Sequence, residues 1–388
     1  MSVPAQPVPR GVVRTVIDHV RARHLAAGAQ RRPSFDGETH DYIRELVERA
    51  APLLDPDIRH HTIRRVLAEL SGFGVLEQYL DDPEVTEVAV NRGHEVWVDR
   101  NGQMELVDHL GDTSVDSIVE RIITPLGLRF DLTAPIVDAR LPGGHRMCAI
   151  REPLAVDGTS LSIRRFALRT LDLHAHAGPD VAALLDDIMR RRLNIVVCGA
   201  ASSGKTTLLN ALTSLIDPTE RVITVEDTAE LSLACPNLVR LETRPATPDG
   251  VEEISVRRLL QSALRLRPDR LVVGEVRGAE AFDMVQALNT GHDGSLSTIH
   301  ANSPEDALWR LTALAALGAP SQAYESLSRQ VRSSIDIVVH TARRGDGRRC
   351  IVSVAETQHD GAPIVLADHA RVITAPTRRR VHLLEDSA

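Results

Sequence analysis

The stretch from Gly199 to Thr206 reads Gly-Ala-Ala-Ser-Ser-Gly-Lys-Thr and lies between the apolar run "NIVVC" and the helical run "TLLNAL". It fits G-x-x-x-x-G-K-[ST], which forms a phosphate-binding loop where a strand precedes it and a helix follows. Backbone N–H groups and the helix N-terminus attract phosphate oxygens there, Lys205 would neutralise the terminal phosphates, and Thr206 offers a hydroxyl to Mg²⁺. We therefore predict a nucleotide site formed by Gly199, Ala200, Ala201, Ser202, Ser203, Gly204, Lys205, Thr206 and Thr207.

Strand and helix patterns alternate after this loop. The runs "RVITVE", "NLVRLE", "RLVVGE" and "SLSTIH" read as strands, with helical patterns over 254–265, 279–289 and 304–316. Buried strands separated by helices predict a mostly parallel sheet covered on both faces. The later run "DIVVHTARRGDGRRCIVSVAE" predicts a hairpin with Gly345 and Gly347 at its tip.

Polar side chains follow several of these strands, at the edge where open α/β sheets bind their ligands. Glu275 follows one strand and could polarise a water, act in the second shell of magnesium, or do both. Gly274 stands where many NTPases carry a metal-binding Asp. The pair Glu226 and Asp227 ends a second strand, and His300 ends a third, with His292 in the turn before it.

The N-terminal half has a different pattern. Helical periodicity over about 11–27, then around Ile43 and Ile63, precedes short β-rich runs and a hairpin turn at Asn101-Gly102. The predicted organisation is a flexible or helical extension (1–35), a helical bundle (36–82), a small α+β domain (83–170), a linker (171–182), the P-loop domain (183–375) and a tail (376–388).

Composition disfavours several functions. A net charge of -8 and a pI of about 6.1 disfavour nucleic-acid binding, and no apolar run approaches the length of a membrane span. The start of the chain lacks the apolar core of a secretory signal, so a cytosolic location is expected. Three basic runs, at 190–192, 342–349 and 378–380, could meet lipid headgroups or a partner, and solvated surface is the favoured interpretation. The four dispersed cysteines suit a reducing compartment.

Four ordered segments carry a family resemblance: "GAASSGKTT", "ITVEDTAEL", "PDRLVVGEVRGAEA" and "GHDGSLSTIHANSPEDAL". Together they resemble the secretion ATPase superfamily of type II and type IV secretion and pilus assembly (GspE/PulE-like). The branch most similar in these segments is that of tight-adherence (Flp) pilus assembly ATPases, the CpaF/TadA-like proteins. The likeness extends over about residues 39–370, because "DPEVTEVAVNRGHEVWVDRNG", "PIVDARLPGGHRMCAI" and "LSIRRF" are similar to that branch's N-terminal domain.

The resemblance implies a C-terminal RecA-like ATPase domain that binds ATP and Mg²⁺, after a smaller α+β domain and a helical extension. It implies a cytoplasmic homohexameric ring that powers pilus assembly or secretion through an inner-membrane platform protein, with peripheral membrane association. By position the resemblance assigns Glu275 as the Walker B catalytic acid. It assigns Glu226 and Asp227 to an Asp box, and His292 and His300 to a His box. Glu226 and His300 are also implied to be catalytic groups. Arginines of the N-terminal domain would complete the site, and the candidates are Arg140, Arg146 and Arg164. Arg277 is similar to an arginine that follows the family's Walker B acid, with an ion-pair role as the expectation.

One departure concerns Ser202, where the family's loop usually carries Gly. Its Cβ would strain a backbone that needs positive φ and would lower affinity or turnover. The alternatives are a conjugal-transfer ATPase, a P-loop kinase or nucleotide switch, and a non-hydrolysing nucleotide-binding scaffold. A kinase or switch would have an acceptor site or switch loops in place of the Asp and His boxes, and would form no ring.

Overall fold

The computed structural model describes residues 10–26, 37–100, 102–111, 113–141, 144–165, 173–246, 250–345, 348–369 and 371–378. The chain divides into two compact units, Met1–Ala167 and Leu168–Ala388. This boundary lies close to the predicted start of the linker at residue 171.

Three helices open the first unit: α1 (Arg10–Ala26), α2 (Gly37–Ala50) and α3 (Pro56–Ser71). The Asp55 carboxylate accepts a hydrogen bond from the N–H of Asp57 at 2.9 Å, so it caps the N-terminus of α3. The apolar stripes of all three helices form one cluster: Val13, Val16, Ile17, Val20, Ile43, Val47, Ile63 and Val66. The predicted boundary at 35 is therefore corrected, because α1 shares its core with the bundle. Residues 1–9 and 27–36 of the predicted extension lie outside the described residues.

A short helix α4 (Glu77–Leu80) leads into a six-stranded antiparallel sheet with the order β3-β2-β1-β6-β5-β4. Helix α5 (Val115–Ile123) buries Val115, Ile118, Val119, Ile122 and Ile123 in the same core. Arg100 pairs with Gln103, which fits the predicted two-residue turn, although Asn101 lies outside the described residues. The strands are β1 (Val85–Asn91), β2 (Glu95–Arg100), β3 (Gln103–His109), β4 (Ile136–Arg140), β5 (Arg146–Ile150) and β6 (Ser160–Arg164).

The second unit contains an eight-stranded sheet with the order β14-β13-β12-β7-β11-β10-β8-β9. The six strands from β12 to β9 run parallel, and β13 and β14 are antiparallel. The strands are β7 (Ile195–Gly199), β8 (Val222–Glu226), β9 (Leu238–Glu242), β10 (Arg270–Val273), β11 (Leu296–His300), β12 (Ile337–Arg343), β13 (Arg349–Glu356) and β14 (Ile364–Asp368).

Helices cover both faces of this sheet. Helices α6 (Pro179–Arg190) and α7 (Lys205–Thr213) pack in one apolar core. The helices α8 (Val256–Ala263), α9 (Glu280–Asn289), α10 (Pro304–Gly318) and α11 (Tyr324–Ser334) pack in the other. The predicted fold class is confirmed: the second unit is a RecA-like α/β domain preceded by an α+β domain. The sequence reasoning missed α11 and β14.

The predicted linker and tail are corrected at their edges. Helix α6 begins at Pro179, and Val181 and Ala182 are buried, so part of segment 171–182 belongs to the core of the second unit. At the other end, the buried Glu356 carboxylate accepts hydrogen bonds from the backbone of Thr377 at 2.8 Å and of Arg378 at 2.6 Å. These bonds hold the first residues of the predicted tail against the domain, and 379–388 lie outside the described residues.

The sequence has four dispersed cysteines and no apolar run long enough to span a membrane, and the structure bears on both points. Within the described ranges, no helix combines the length and the apolar character needed to cross a lipid bilayer. All four cysteines carry free thiols, and Cys198 is the one that is fully buried.

The contact between α9 and α10 gives a stability prediction. A Cβ at Gly318 would lie 2.5 Å from the Ala279 carbonyl oxygen and 2.7 Å from the Phe282 Cβ. We expect Gly318→Ala to lower the free energy of unfolding by about 1–3 kcal/mol, because the two helices must move apart. Urea denaturation measures this, with Gly345→Ala as the control, since nothing lies within 4 Å of a Cβ there. Equal stability of the two variants would contradict the prediction.

Candidate nucleotide-binding site

The phosphate loop connects the end of β7 to the start of α7, and glycine is needed at both of its ends. A Cβ at Gly199 would lie 2.4 Å from the Thr341 carbonyl oxygen, and Gly204 has a φ of +98°. The hydroxyl oxygens of Ser203 and Thr341 lie 3.0 Å apart, so a hydrogen bond connects the loop to β12. Sequence reasoning missed Thr341, because its relevance depends on the parallel pairing of β12 with β7.

Ser202 has the left-handed conformation that the sequence analysis expected at this position, with a φ of +59°. For a residue with a Cβ this conformation costs about 1–2 kcal/mol relative to the right-handed region. The loop therefore holds a strained, solvent-exposed serine.

Lys205 is buried at the start of α7. Its ammonium donates hydrogen bonds to the carbonyl oxygens of Gly199 at 3.2 Å and Ala200 at 2.9 Å. It also lies 3.2 Å from Nδ1 of His300. The charge of Lys205 is thus directed towards the end of β11, across the mouth of the loop.

Glu275 follows β10 and lies at the centre of a charged cluster. Its Oε2 accepts a hydrogen bond from Arg277 at 2.8 Å, and its Oε1 lies 2.9 Å from Nε2 of His300. Arg277 also lies 3.5 Å from the Asp227 carboxylate. Burial acts to raise the pKa of Glu275, yet the hydrogen bond and charge of Arg277 and the charge of Lys205 bring this pKa below its ordinary value. Glu275 is therefore an ionised carboxylate at neutral pH.

His300 links Lys205 to Glu275. Burial and the positive charge of Lys205 lower its pKa, although the charge of Glu275 acts in the opposite direction, so the imidazole is neutral at pH 7. Because an ammonium can only donate, Nδ1 is the accepting nitrogen, and we assign the ring proton to Nε2, which faces Glu275. This tautomer continues the chain of polar contacts from Lys205 to Glu275.

Glu226 lies at the end of β8, and its surroundings shift its pKa in the opposite direction to that of Glu275. Its side chain is buried, and burial raises its pKa to about 7 although two backbone N–H groups, of Glu230 and Leu231, donate to its Oε1. Gly274 lies beside it, and a Cβ there would approach the Glu226 Cγ to 2.9 Å. The absence of an Asp at 274 thus has a steric reason, since Glu226 fills the space that such a side chain would need.

The residues at this edge suit Mg²⁺. The buried Oε2 of Glu226 has no hydrogen-bond partner in the described structure. Glu275 follows β10, which is the neighbour of β8 in the sheet, and Thr206 lies in the first turn of α7. No group of three or more His, Cys, Asp or Glu among the described residues forms a ready metal cage. Magnesium does not require one, because it is usually held by one or two protein oxygens together with phosphates and waters.

The structure does not bring His292 into this cluster. Its Nδ1 lies 3.0 Å from the carbonyl oxygen of Ala287, before β11 begins at Leu296. His300 ends that strand, which is roughly 13 Å long from Leu296 to His300 at 3.3 Å per residue. His292 therefore lies in the turn before β11, as its position in the sequence predicts, and its assignment to the His box stays a prediction.

The three candidate arginines of the first unit lie side by side in its sheet. Arg140 pairs with Arg146, and Arg146 pairs with Arg164, on three neighbouring strands. Residues paired directly across antiparallel strands share one face of the sheet. The sequence alone does not show this row, because it depends on the register of β4, β5 and β6.

Fold and site together define the class: a P-loop protein with a RecA-like domain. The family model described as "Type II/IV secretion system protein" matches residues 69–381, and the chain belongs to this family. A putative conjugal transfer protein of Mycobacterium tuberculosis is 40% identical over 309 residues, covering 76% of this chain and 86% of that protein. The type IV secretion system protein PtlH of Bordetella pertussis is 36% identical over 328 residues, covering 74% and 94%.

Among solved structures, the Legionella pneumophila ATPase DotB matches with a TM-score of 0.53 at 18% identity, covering 73% of this chain and 80% of that one. At this level of identity the match supports the fold alone. The family resemblance that the sequence motifs indicated is confirmed at the level of type II/IV secretion system proteins.

The raised pKa of Glu226 predicts a pH-dependent stability. In the unfolded chain this carboxyl ionises near its ordinary pKa of 4.5, and in the folded protein near 7, so the folded state binds more protons between these values. Its contribution to stability is present below pH 4.5 and is lost as the pH rises through 7. We expect Glu226→Gln to gain up to about 3 kcal/mol relative to wild type between pH 5 and 8.

Urea unfolding of the nucleotide-free protein across this range measures the effect. Gln at 226 keeps an acceptor for both backbone N–H groups, and Glu253→Gln on the exposed surface serves as the control. Parallel stability curves for wild type and Glu226→Gln would contradict the assignment.

Proposed function

We propose that this protein hydrolyses ATP, with Mg²⁺, as the motor of a secretion or pilus-assembly machine. The proposal is supported by three side chains that lie together at one edge of the parallel sheet. Lys205 Nζ lies 3.2 Å from His300 Nδ1, and His300 Nε2 lies 2.9 Å from Glu275 Oε1. A fixed ammonium, a neutral imidazole and an ionised carboxylate beside a phosphate loop are the groups that phosphoryl transfer to water requires.

Each group has a distinct task. On nucleotide binding, Lys205 exchanges its carbonyl partners for the β- and γ-phosphate oxygens, and the backbone N–H groups of the loop surround the phosphates. Glu275 orients a water towards the γ-phosphate and accepts its proton, while Arg277 keeps the carboxylate in place. His300 contacts the γ-phosphate region through Nε2. Mg²⁺, when bound, would supply neutralising charge on the phosphates; Thr206 would be its protein ligand, and Glu226 and Glu275 would hold waters of the ion.

The row of Arg140, Arg146 and Arg164 is the source proposed for further positive charge. Three guanidinium groups side by side suit a multiply charged anion better than separate carboxylates, because each can donate two hydrogen bonds. A cationic finger of this kind is worth about 10³ to 10⁵ in rate in related NTPases. We propose that the active form is a homohexameric ring, in which hydrolysis drives domain movement.

For the machine we propose Flp/Tad-type pilus assembly or protein secretion, with an inner-membrane platform protein as partner and a cytoplasmic location at the membrane surface. A second candidate is conjugal transfer, favoured by the name of the mycobacterial relative. A third, motivated by the strained Ser202, is a ring that binds nucleotide without hydrolysing it.

The central test is turnover of ATP by purified protein. We expect Glu275→Gln to lower kcat at least a hundredfold while nucleotide binding persists, because the substitution removes the base and leaves the loop intact. Lys205→Ala is expected to weaken binding and turnover together. Glu305→Gln, the same substitution at an exposed position in α10, should behave as wild type. Turnover that persists unchanged in Lys205→Ala would refute the site, and an assembled wild-type ring without turnover would favour the non-hydrolysing scaffold.

A separate experiment distinguishes the two transport functions. With a net charge of -8, the protein should not shift labelled single-stranded DNA at physiological ionic strength. Deletion of the gene in its host should abolish surface fibres or secreted protein while plasmid transfer continues. Salt-dependent DNA binding together with loss of plasmid transfer would establish the conjugal function instead.

A further inference from the structure

Arg349, at the start of β13, lies against the phosphate loop. The Arg349 Cδ would be 2.9 Å from a Cβ at Gly204, so the arginine stem packs directly on the glycine that opens α7. The guanidinium Nη1 lies 3.5 Å from the hydroxyl of Thr207. Arg349 is exposed, as predicted for the basic run 342–349, and its stem also contacts the loop.

The position of Arg349 along the loop differs from that of Lys205. Lys205 is directed to His300, which lies with Glu275 at the end of the site where the γ-phosphate is proposed. Arg349 instead contacts Thr207, one residue beyond the proposed magnesium ligand, and approaches the loop from β13. Lys205 belongs to α7 itself and is directed to the end of β11, whereas Arg349 reaches the start of α7 from β13.

His176 provides an independent indication of a ligand on the Arg349 side. It is 6% exposed, and its buried Nε2 has no hydrogen-bond partner in the described structure. Its backbone carbonyl accepts from the N–H of Ile351 at 3.2 Å, which places it beside β13. Burial, and then the nearby charge of Arg349, lower the pKa of His176, so the ring is neutral. The buried Nε2 of His176 therefore has unused hydrogen-bonding capacity beside β13, which a polar group other than the described residues can satisfy.

We propose that Arg349 binds the α-phosphate of the nucleotide, with His176 beside the attached nucleoside. This inference rests on the proposed nucleotide function and adds a ligand from the same subunit to it. The loop's backbone surrounds the α- and β-phosphates while Lys205 reaches the β- and γ-phosphates, so a cation at Thr207 meets the remaining phosphate. The planar guanidinium can donate two hydrogen bonds to that phosphate at once.

The test compares ATP and ADP, which share the α-phosphate. Their affinities are measured by titration calorimetry on wild type, Arg349→Gln, Arg349→Lys and Arg344→Gln. Arg344 lies on the same hairpin and is exposed, so Arg344→Gln controls for the loss of one surface charge. We expect Arg349→Gln to weaken ATP and ADP by the same factor, roughly 10- to 100-fold, because both lose one charge-assisted contact. Arg349→Lys should recover part of the loss, and Arg344→Gln should bind as wild type.

The outcomes separate this inference from the function on which it rests. If wild type binds both nucleotides and Arg349→Gln binds them within twofold of wild type, the role of Arg349 is refuted and the proposed function stands. A loss confined to ATP would place Arg349 at the γ-phosphate and also refute the inference. If wild type binds neither nucleotide, both proposals fail. Thermal unfolding without nucleotide should be the same for wild type and Arg349→Gln, since the side chain is exposed.

Discussion

Parallel pairing of β8, β10, β11 and β7 is the constraint on which the site depends. Val225 pairs with Val273, and His300 pairs with Gly199, so the carboxyl ends of these strands lie next to each other. Residues far apart in the chain thereby reach one edge of the sheet without a long loop to carry them. Any change that shifts the register of β10 or β11 would separate Glu275 and His300 from the phosphate loop.

Two carboxylates at this edge differ because their surroundings differ. Glu275 is held by Arg277 and lies near Lys205, so its pKa is low, whereas Glu226 is enclosed by protein and its pKa rises to about 7. Gly274 makes room for Glu226 beside the strand that carries Glu275. An ionised carboxylate and a carboxyl with a pKa near neutrality therefore lie at the ends of adjacent strands, which is a common arrangement where acid and base roles are divided.

Much of the fold follows from local pattern. Apolar runs and turn residues predict the phosphate loop and the strands before Glu226, Glu275 and His300. They also predict the short strands of the first unit. Other features depend on tertiary pairing: Thr341 contacts the loop because β12 lies beside β7, and Arg349 does so because β13 folds back on β12. The row of arginines in the first unit likewise requires the register of β4, β5 and β6.

The most direct measurement of the central claim is a crystal structure of the protein soaked with Mg²⁺ and a nonhydrolysable ATP analogue. The account predicts that Lys205 Nζ leaves the Gly199 and Ala200 carbonyls for phosphate oxygens, with Glu275 and His300 on the γ-phosphate side. An analogue bound elsewhere, or a γ-phosphate remote from Glu275 and His300, would contradict it.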